Sequence, residues 1–287
     1  MTPQQIKQNL GTKNENTWCP GCQNFLILES AKIAIANLIS KGYKHENFAM
    51  ATGIGCHAKI FDYLNISGIY GLHGRVIPTA IGMKLGNPNL TVLGFAGDGD
   101  TYAEGMAHFI HVSRFNADIT LIVHDNQSFS LTTGQATPTS QIGFKTKAEP
   151  LGEFNQPLNP IKLALAAGAT FVARANAKDI KGTAVIIEKA IKHKGFSFVE
   201  VIQDCLIFNL TANETDSLMY EIADNKDKKK AEALADEWDY NLKGGKIPIG
   251  VIYQSDKHVP SLTDKWPQLK RLANKGVGWK NKQFIFK

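Results

Sequence analysis

The run "GDGD" at residues 97–100 and the later Asn126 are side chains whose types suit one task. Asp98 offers a hard carboxylate oxygen and Asn126 an amide carbonyl oxygen. Such a pair suits Mg²⁺ shared with a diphosphate, because that ion takes a few protein oxygens and completes its shell with phosphate oxygens and water. Gly97 and Gly99 let the backbone come close to the phosphates. Asp between glycines is by itself ordinary turn chemistry. The 26 residues Asp100 through Asp125 change its weight, since a strand, a helix and a strand fit that interval and give the spacing up to Asn126 a geometric reason.

Cysteine supplies the second group. The stretch "NENTWCPGCQN", residues 14–24, holds Cys19 and Cys22 in a chain with four cysteines. A redox dithiol of the W-C-x-x-C kind follows a buried strand, and "GTKNENTW" is no strand. A four-cysteine zinc site shows two close pairs, whereas Cys56 and Cys205 stand alone, which weakens zinc and leaves it open. A C-x-x-C pair with two remote thiolates suits a [4Fe–4S] cluster, which takes four.

The elements that must position these groups alternate between two periods. "TVLGFAG" (91–97) and "ITLIVHDN" (119–126) read as buried strands, with an amphipathic helix over "TYAEGMAHFIHVSRF" (101–115) between them. The same logic recurs in "NFAMATGIG" (47–55) and in "GATFVARA", the helix around "IKGTAVIIEKAIKHK" and "FSFVEVI" (168–202). Strands separated by helices predict an α/β fold, a parallel twisted sheet covered on both faces. Ligands of such sheets bind beyond the carboxyl ends of the strands, where "GDGD" and Asn126 both fall, so the two are expected to converge. The helix after "GDGD", read as starting near Tyr102, aims its first amides at the same point. Residues 131–160 carry neither period and read as a long functional loop. Motifs stop near residue 211, and the tail to Lys287 reads as a helix plus an arm.

Composition sets the outer limits. With 43% hydrophobic and 20% charged residues over 287 positions, the chain has the make-up of an ordinary globular protein with a sizeable core. No apolar run approaches the roughly 20 residues of a membrane span, so no membrane is expected and the chain is placed in the cytoplasm. The net charge of +6 comes from scattered lysines, apart from the mixed-charge stretch 224–239, which reads as a solvated helix face. Nothing interleaves basic and aromatic residues as a nucleic-acid surface does, so no nucleic acid is expected.

The spacing from "GDG" to a strand ending in "DN" resembles the signature of thiamine-diphosphate enzymes. The further succession of C-P-G-C, G-I-G-C and a D-C after the last strand resembles the β subunit of 2-oxoacid:ferredoxin oxidoreductases over residues 16 to about 210. The resemblance implies a thiamine-diphosphate-binding fold of the diphosphate type and three cofactors: thiamine diphosphate, Mg²⁺ and one [4Fe–4S] cluster. It assigns Asp98, Asn126 and the backbone carbonyl of Ser128 to Mg²⁺, and Cys19, Cys22, Cys56 and Cys205 to the cluster. Ile54, Gly55, Cys56 and His57 of "GIGCH", His73 of "HGR", the run Gly97, Asp98, Gly99 and Asp100, and then Asn126, Leu131 and Thr132 are implied to contact the cofactor. His73 would donate to a phosphate oxygen.

The activity so implied is CoA-dependent oxidative decarboxylation of a 2-oxoacid to acyl-CoA and CO₂, with electrons leaving through the cluster to ferredoxin. The thiamine cofactor serves as electron sink. "NQSFSLTTGQATPTS" resembles the loop of enzymes acting on 2-oxoglutarate or on several 2-oxoacids, with pyruvate as the alternative. The activating glutamate of the family lies on a companion α subunit, and Glu104, on the diphosphate helix, is no substitute. Residues 1–210 are thus expected to form the thiamine-diphosphate and iron–sulfur domain, and 211–287 an extension packing on it or on the α subunit. Two other readings stand beside this one: a thiamine-diphosphate decarboxylase or synthase subunit without a cluster, and a zinc-stabilised binding module.

Overall fold

The computed structural model describes residues 1–241, 245–269 and 271. In chain order the elements are α1 (Pro3–Asn9), α2 (Asn24–Ser40), β1 (Phe48–Thr52), the single turn α3 (Ile60–Tyr63), β2 (Ser67–Tyr70), α4 (Val76–Gly86), β3 (Thr91–Gly97), α5 (Met106–Phe115), β4 (Thr120–Asp125), α6 (Pro160–Ala166), β5 (Phe171–Asn176), α7 (Ile180–Lys192), β6 (Ser197–Ile202), β7 (Met219–Glu221), α8 (Lys228–Asp236) and β8 (Ile247–Gln254).

The strands form one sheet in the order β2-β1-β3-β4-β6-β5-β8-β7. Every neighbouring pair is parallel except β5 with β8. The strands β1, β4 and β6 are buried at every position, as a parallel sheet with helices on both faces requires. On one face α2 packs against α7; in α2 the buried positions Ile27, Leu28, Ala31, Ala34, Ile35 and Leu38 recur at helical spacing and form its inner stripe. On the other face Phe109 and Val112 of α5, Ile161 of α6 and Leu234 of α8 close a second core. The predicted α/β architecture is the one observed.

Two local features differ from the sequence reading. The chain after β3 does not enter a regular helix near Tyr102: Asp100–Glu104 form a π-helical turn, and the α-helix proper starts at Met106, after Gly105. Such wide turns occur where side chains must be re-aimed, and here the turn holds Asp100 under the cleft described below. The second feature is the role of residues after 211, which supply β7 and β8 to the same sheet and pack α8 on one of its faces. Between α8 and β8, the Trp238 and Tyr240 rings stack on each other at 3.9 Å and cover the fully buried Arg174–Glu200 pair of β5 and β6, with the Arg174 guanidinium 5.1 Å from the Trp238 ring centre. Arg174 Nη2 donates to the Tyr240 hydroxyl, which donates to Glu200 at 2.6 Å, so the buried charges are paired and hydrogen-bonded. The mixed-charge stretch does form a helix face: Asp227 caps α8, whose inner side carries Ala231, Leu234 and Ala235. The arm expected toward Lys287 lies outside the described residues.

Candidate functional site

Four adjacent parallel strands, β1, β3, β4 and β6, end on one edge of the sheet. Gly53–His57 follow β1, Asp98 and Asp100 follow β3, Asn126 and Ser128 follow β4, and Cys205 follows β6. The predicted convergence is therefore a consequence of strand order. A cleft on this edge is lined by Ile54, Gly55, Cys56, His57, His73, Gly97, Asp98, Gly99, Asp100, Asn126, Ser128, Leu131 and Thr132, together with His124, Phe129, Ser130 and Gln203.

The electrostatics of the cleft centre on two buried carboxyls. The Thr139 hydroxyl lies 3.2 Å from Asp98 Oδ2 and 3.0 Å from Asp125 Oδ1. Burial pushes the Asp98 carboxyl up to about 6, and burial together with the neighbouring Asp98 charge pushes Asp125 well above the usual range. A divalent ion at Asp98 would offset the charge of these two desolvated carboxyls, which stand side by side with one hydroxyl between them. Asn126 Oδ1 accepts the Ser128 N–H at 3.1 Å, and Ser130 Oγ links the Asn126 side-chain N–H, at 3.1 Å, to the Ser128 carbonyl oxygen, at 3.3 Å. The donor set and the charge deficit fit Mg²⁺.

Asp100 has a different setting. It accepts the Gly74 N–H at 2.6 Å and lies 3.2 Å from His73 Nδ1 and 3.4 Å from His57 Nε2. Burial alone would raise this carboxyl, but the two rings and the Gly74 amide outweigh it and hold it well below the usual range. The same contact raises His73. Asp100 thus anchors two imidazoles at the cleft, and neither facing nitrogen has a well-aligned hydrogen bond. With those nitrogens turned to Asp100, the opposite ring nitrogens, His57 Nδ1 and His73 Nε2, are the ones left for a phosphate oxygen. Gly97 and Gly99 serve a purpose beyond phosphate approach: a Cβ at Gly97 would come 2.7 Å from the His57 ring and one at Gly99 2.2 Å from Phe129, so their bareness lets these rings close the cleft.

Behind the cleft lies a second cavity of about 200 Å³ lined by all four cysteines. All four are free thiols. Helix α2 follows Cys22 directly, but residues before Cys19 form no strand, as expected. The three chain segments that bring the thiols in are tied to one another. Trp18 Nε1 donates to the Cys56 carbonyl at 2.7 Å, with its ring edge-on to Tyr63 and Phe25. Gln23 Nε2 donates to Asp204 at 2.7 Å while the Asp204 N–H donates back to Gln23 at 2.8 Å, joining residues on either side of Cys22 and Cys205. Burial pushes the Cys56 thiol up to about 11, and the neighbouring Cys22 adds to the rise. Burial also raises Cys22. Among the described residues no group of three or more His, Cys, Asp or Glu is drawn close enough for a single ion. A cubane carries its thiolates on separate irons and accepts a wider spread, so four thiols around one cavity fit it by donor set and by room. Gln23→Leu removes both bonds to Asp204. It is expected to lower stability by about 2 kcal/mol and to reduce the iron content of anaerobically purified protein, measured as the denaturant midpoint and as iron per chain.

The family described as "Thiamine pyrophosphate enzyme, C-terminal TPP binding domain" matches residues 53–201. The 2-oxoacid:ferredoxin oxidoreductase subunit beta of Saccharolobus solfataricus is 41% identical over 259 residues, 84% of this chain and 82% of its own length. This chain belongs to the β-subunit family of the 2-oxoacid:ferredoxin oxidoreductases. Another β-subunit relative, the 2-oxoglutarate synthase subunit KorB of Archaeoglobus fulgidus, is 40% identical over 188 residues, 66% of this chain and 69% of its own. A solved 2-oxoglutarate:ferredoxin oxidoreductase from Magnetococcus marinus, with 2-oxoglutarate, coenzyme A and succinyl-CoA bound, superposes with a TM-score of 0.86 at 32% identity. The match covers 98% of this chain and 93% of that one. As a β subunit of this family, the chain is part of an oxidoreductase and carries its thiamine-diphosphate-binding domain. Among the described residues no helix is long and apolar enough to cross a membrane.

Sequence reasoning missed several groups of this β subunit. Thr139, which bridges Asp98 and Asp125, sits in the aperiodic loop, and no local signal marks it. His124, buried and hydrogen-bonded to Asn24 at 2.8 Å, directly precedes the "DN" at the end of β4. Gln23 and Asp204 flank predicted cysteines, and that adjacency was the available clue.

Proposed function

We propose that this chain is the β subunit of a CoA-dependent 2-oxoacid:ferredoxin oxidoreductase that binds thiamine diphosphate through Mg²⁺ and holds one [4Fe–4S] cluster. The reaction is 2-oxoacid anion + CoA → acyl-CoA + CO₂ + H⁺ + two electrons, the electrons leaving one at a time to ferredoxin. The observation that carries this reading is a shared wall: Cys56, Asn126, Ser130 and Leu131 line both the cleft and the thiol cavity. When bound, the thiamine cofactor supplies the electron sink for decarboxylation and the cluster the one-electron outlet.

The chain's own residues divide the work. Asp98, Asn126 Oδ1 and the Ser128 carbonyl hold the cation, while His57 and His73, oriented by Asp100, hold phosphate oxygens. Cys19, Cys22, Cys56 and Cys205 hold the cluster across the wall. Ile54, Gly55, Leu131 and Thr132, which line the same cleft, would contact the cofactor, and Leu131 is 44% exposed. The cleft alone encloses about 50 Å³, far below the ~300–1,000 Å³ usual for a small-molecule site. The remaining walls, the activating glutamate and much of the substrate pocket belong to an α subunit. The loop 126–140 and the relatives named for 2-oxoglutarate favour 2-oxoglutarate or a broad range over pyruvate alone.

The test is anaerobic co-expression with the α subunit. The complex is expected to be brown, to contain iron and acid-labile sulfide, and to reduce a viologen dye with 2-oxoglutarate plus CoA, whereas the isolated chain turns nothing over. A colourless complex that still decarboxylates 2-oxoacids would favour a thiamine-diphosphate decarboxylase without a cluster. Turnover by the isolated chain would remove the shared-site reading.

A further inference from the structure

The wall between the two cavities contains a hydroxyl with a choice of acceptors. Ser130 Oγ lies 3.2 Å from Cys205 Sγ and 3.3 Å from the Ser128 carbonyl oxygen, and it accepts the Asn126 side-chain N–H at 3.1 Å. A hydroxyl has one proton and donates to one acceptor at a time. Ser130 is 9% exposed, so water competes weakly for that proton. The surrounding backbone is locked: Asn209 Nδ2 donates to the carbonyls of Asn126 and Gln127 at 3.2 and 3.1 Å, and the Phe208 N–H points to Cys205 Sγ at 3.4 Å. The distances from Ser130 to its two acceptors are therefore set by the fold.

We propose that Ser130 reports the occupancy of the cation and diphosphate site to the cluster, by donating its hydroxyl proton to the Ser128 carbonyl when that site is empty and to the Cys205 sulfur when it is filled. This rests on the cofactor and cluster assignments above. A cation at the Ser128 carbonyl and Asn126 Oδ1 draws the carbonyl lone pairs and repels a nearby proton. It also polarises the Asn126 amide, whose N–H then holds Ser130 Oγ more firmly in place. The hydroxyl proton then turns to sulfur. A hydrogen bond to a cluster thiolate stabilises the more negative, reduced state, so the one-electron potential rises. Reduction adds one electron to the cluster and moves no proton off Ser130. The cluster thus becomes the better acceptor only when an electron donor can be present next door.

Potentiometric titration of the αβ complex, followed by the electron paramagnetic resonance signal of the reduced cluster, tests this. It is run with and without added Mg²⁺ and thiamine diphosphate. In the wild type, loading is expected to raise the reduction equilibrium constant about two- to tenfold, which is ~18 to 59 mV for one electron. Ser130→Ala is expected to have the lower potential in both conditions and to lose the shift, and Ser130→Thr, which keeps the hydroxyl, to restore it. A cluster-bearing Ser130→Ala complex with the wild-type potential and the wild-type shift overturns the inference and leaves the cofactor assignment intact. If Ser130→Ala fails to load its cluster, the wild type and Ser130→Thr decide: absence of a loading-dependent shift in both overturns it. Absence of iron and sulfide from the wild-type complex sinks the cluster assignment instead, and this inference with it.

Discussion

Asp98→Ala in the αβ complex is expected to abolish retention of Mg²⁺ and thiamine diphosphate and to lower turnover at least about a thousandfold. The size follows from removing the one charged ligand of a cation worth several kcal/mol to binding and catalysis, at about 1.4 kcal/mol per power of ten. The cofactor-free chain should behave in the opposite sense. Asp98 is 3% exposed, beside an equally buried Asp125, with the Thr139 hydroxyl between them. Taking away one of two crowded, desolvated carboxyls relieves repulsion, so the thermal midpoint of the cofactor-free variant should be equal to or above that of the wild type. This sign separates loss of a ligand from loss of the fold. Cofactor content after gel filtration and the melting curve of the cofactor-free protein are the two measurements. Wild-type cofactor retention in Asp98→Ala would move the cation away from this carboxylate.

Cys56→Ala should have an equally large effect on a different property. Cys56 lines both cavities, and its backbone carbonyl is pinned by Trp18. The variant is expected to lose most of its iron and sulfide and essentially all 2-oxoacid-dependent dye reduction, yet to keep bound thiamine diphosphate. Alanine is the decisive replacement, since a serine oxygen could still ligate iron. In the cluster-free chain Cys56 is a half-buried neutral thiol whose ionisation is opposed by burial and by Cys22. There it behaves as a small apolar group, and its loss should leave the fold intact. Retention of the full iron complement in Cys56→Ala would place the cluster on other ligands.

Much of the site was legible because its signals are local. "GDG" after one buried strand and "DN" at the end of the next place Asp98 and Asn126 at carboxyl ends of parallel strands, and that rule of sheet geometry needs no knowledge of side-chain packing. The strands β1, β3, β4, β5 and β6 were readable for a related reason: parallel strands buried on both faces are nearly continuous apolar runs, broken in β5 and β6 by the paired Arg174 and Glu200. The β7–α8–β8 segment was harder. The antiparallel strand β8 has two mid-strand positions only half-buried, so its pattern alternates poorly, and its place beside β5 depends on Trp238 and Tyr240 reaching the buried Arg174–Glu200 pair. That contact joins residues 66 apart in sequence.

From sequence alone came the inventory of chemistry: a carboxylate and an amide fit for a divalent cation, four thiols, the order of strands and helices, and the family resemblance these carry. The three-dimensional fold decided how that inventory is wired. Gln23 meets Asp204 across 181 residues, Thr139 reaches back to Asp98 from an aperiodic loop, and Ser130 stands between an amide of one site and a sulfur of the other. Periodicity reports which face of an element is buried. It is silent on which partner a buried hydroxyl or amide finds, because that is settled by loops whose conformation is fixed by satisfying their own polar groups once the sheet has closed.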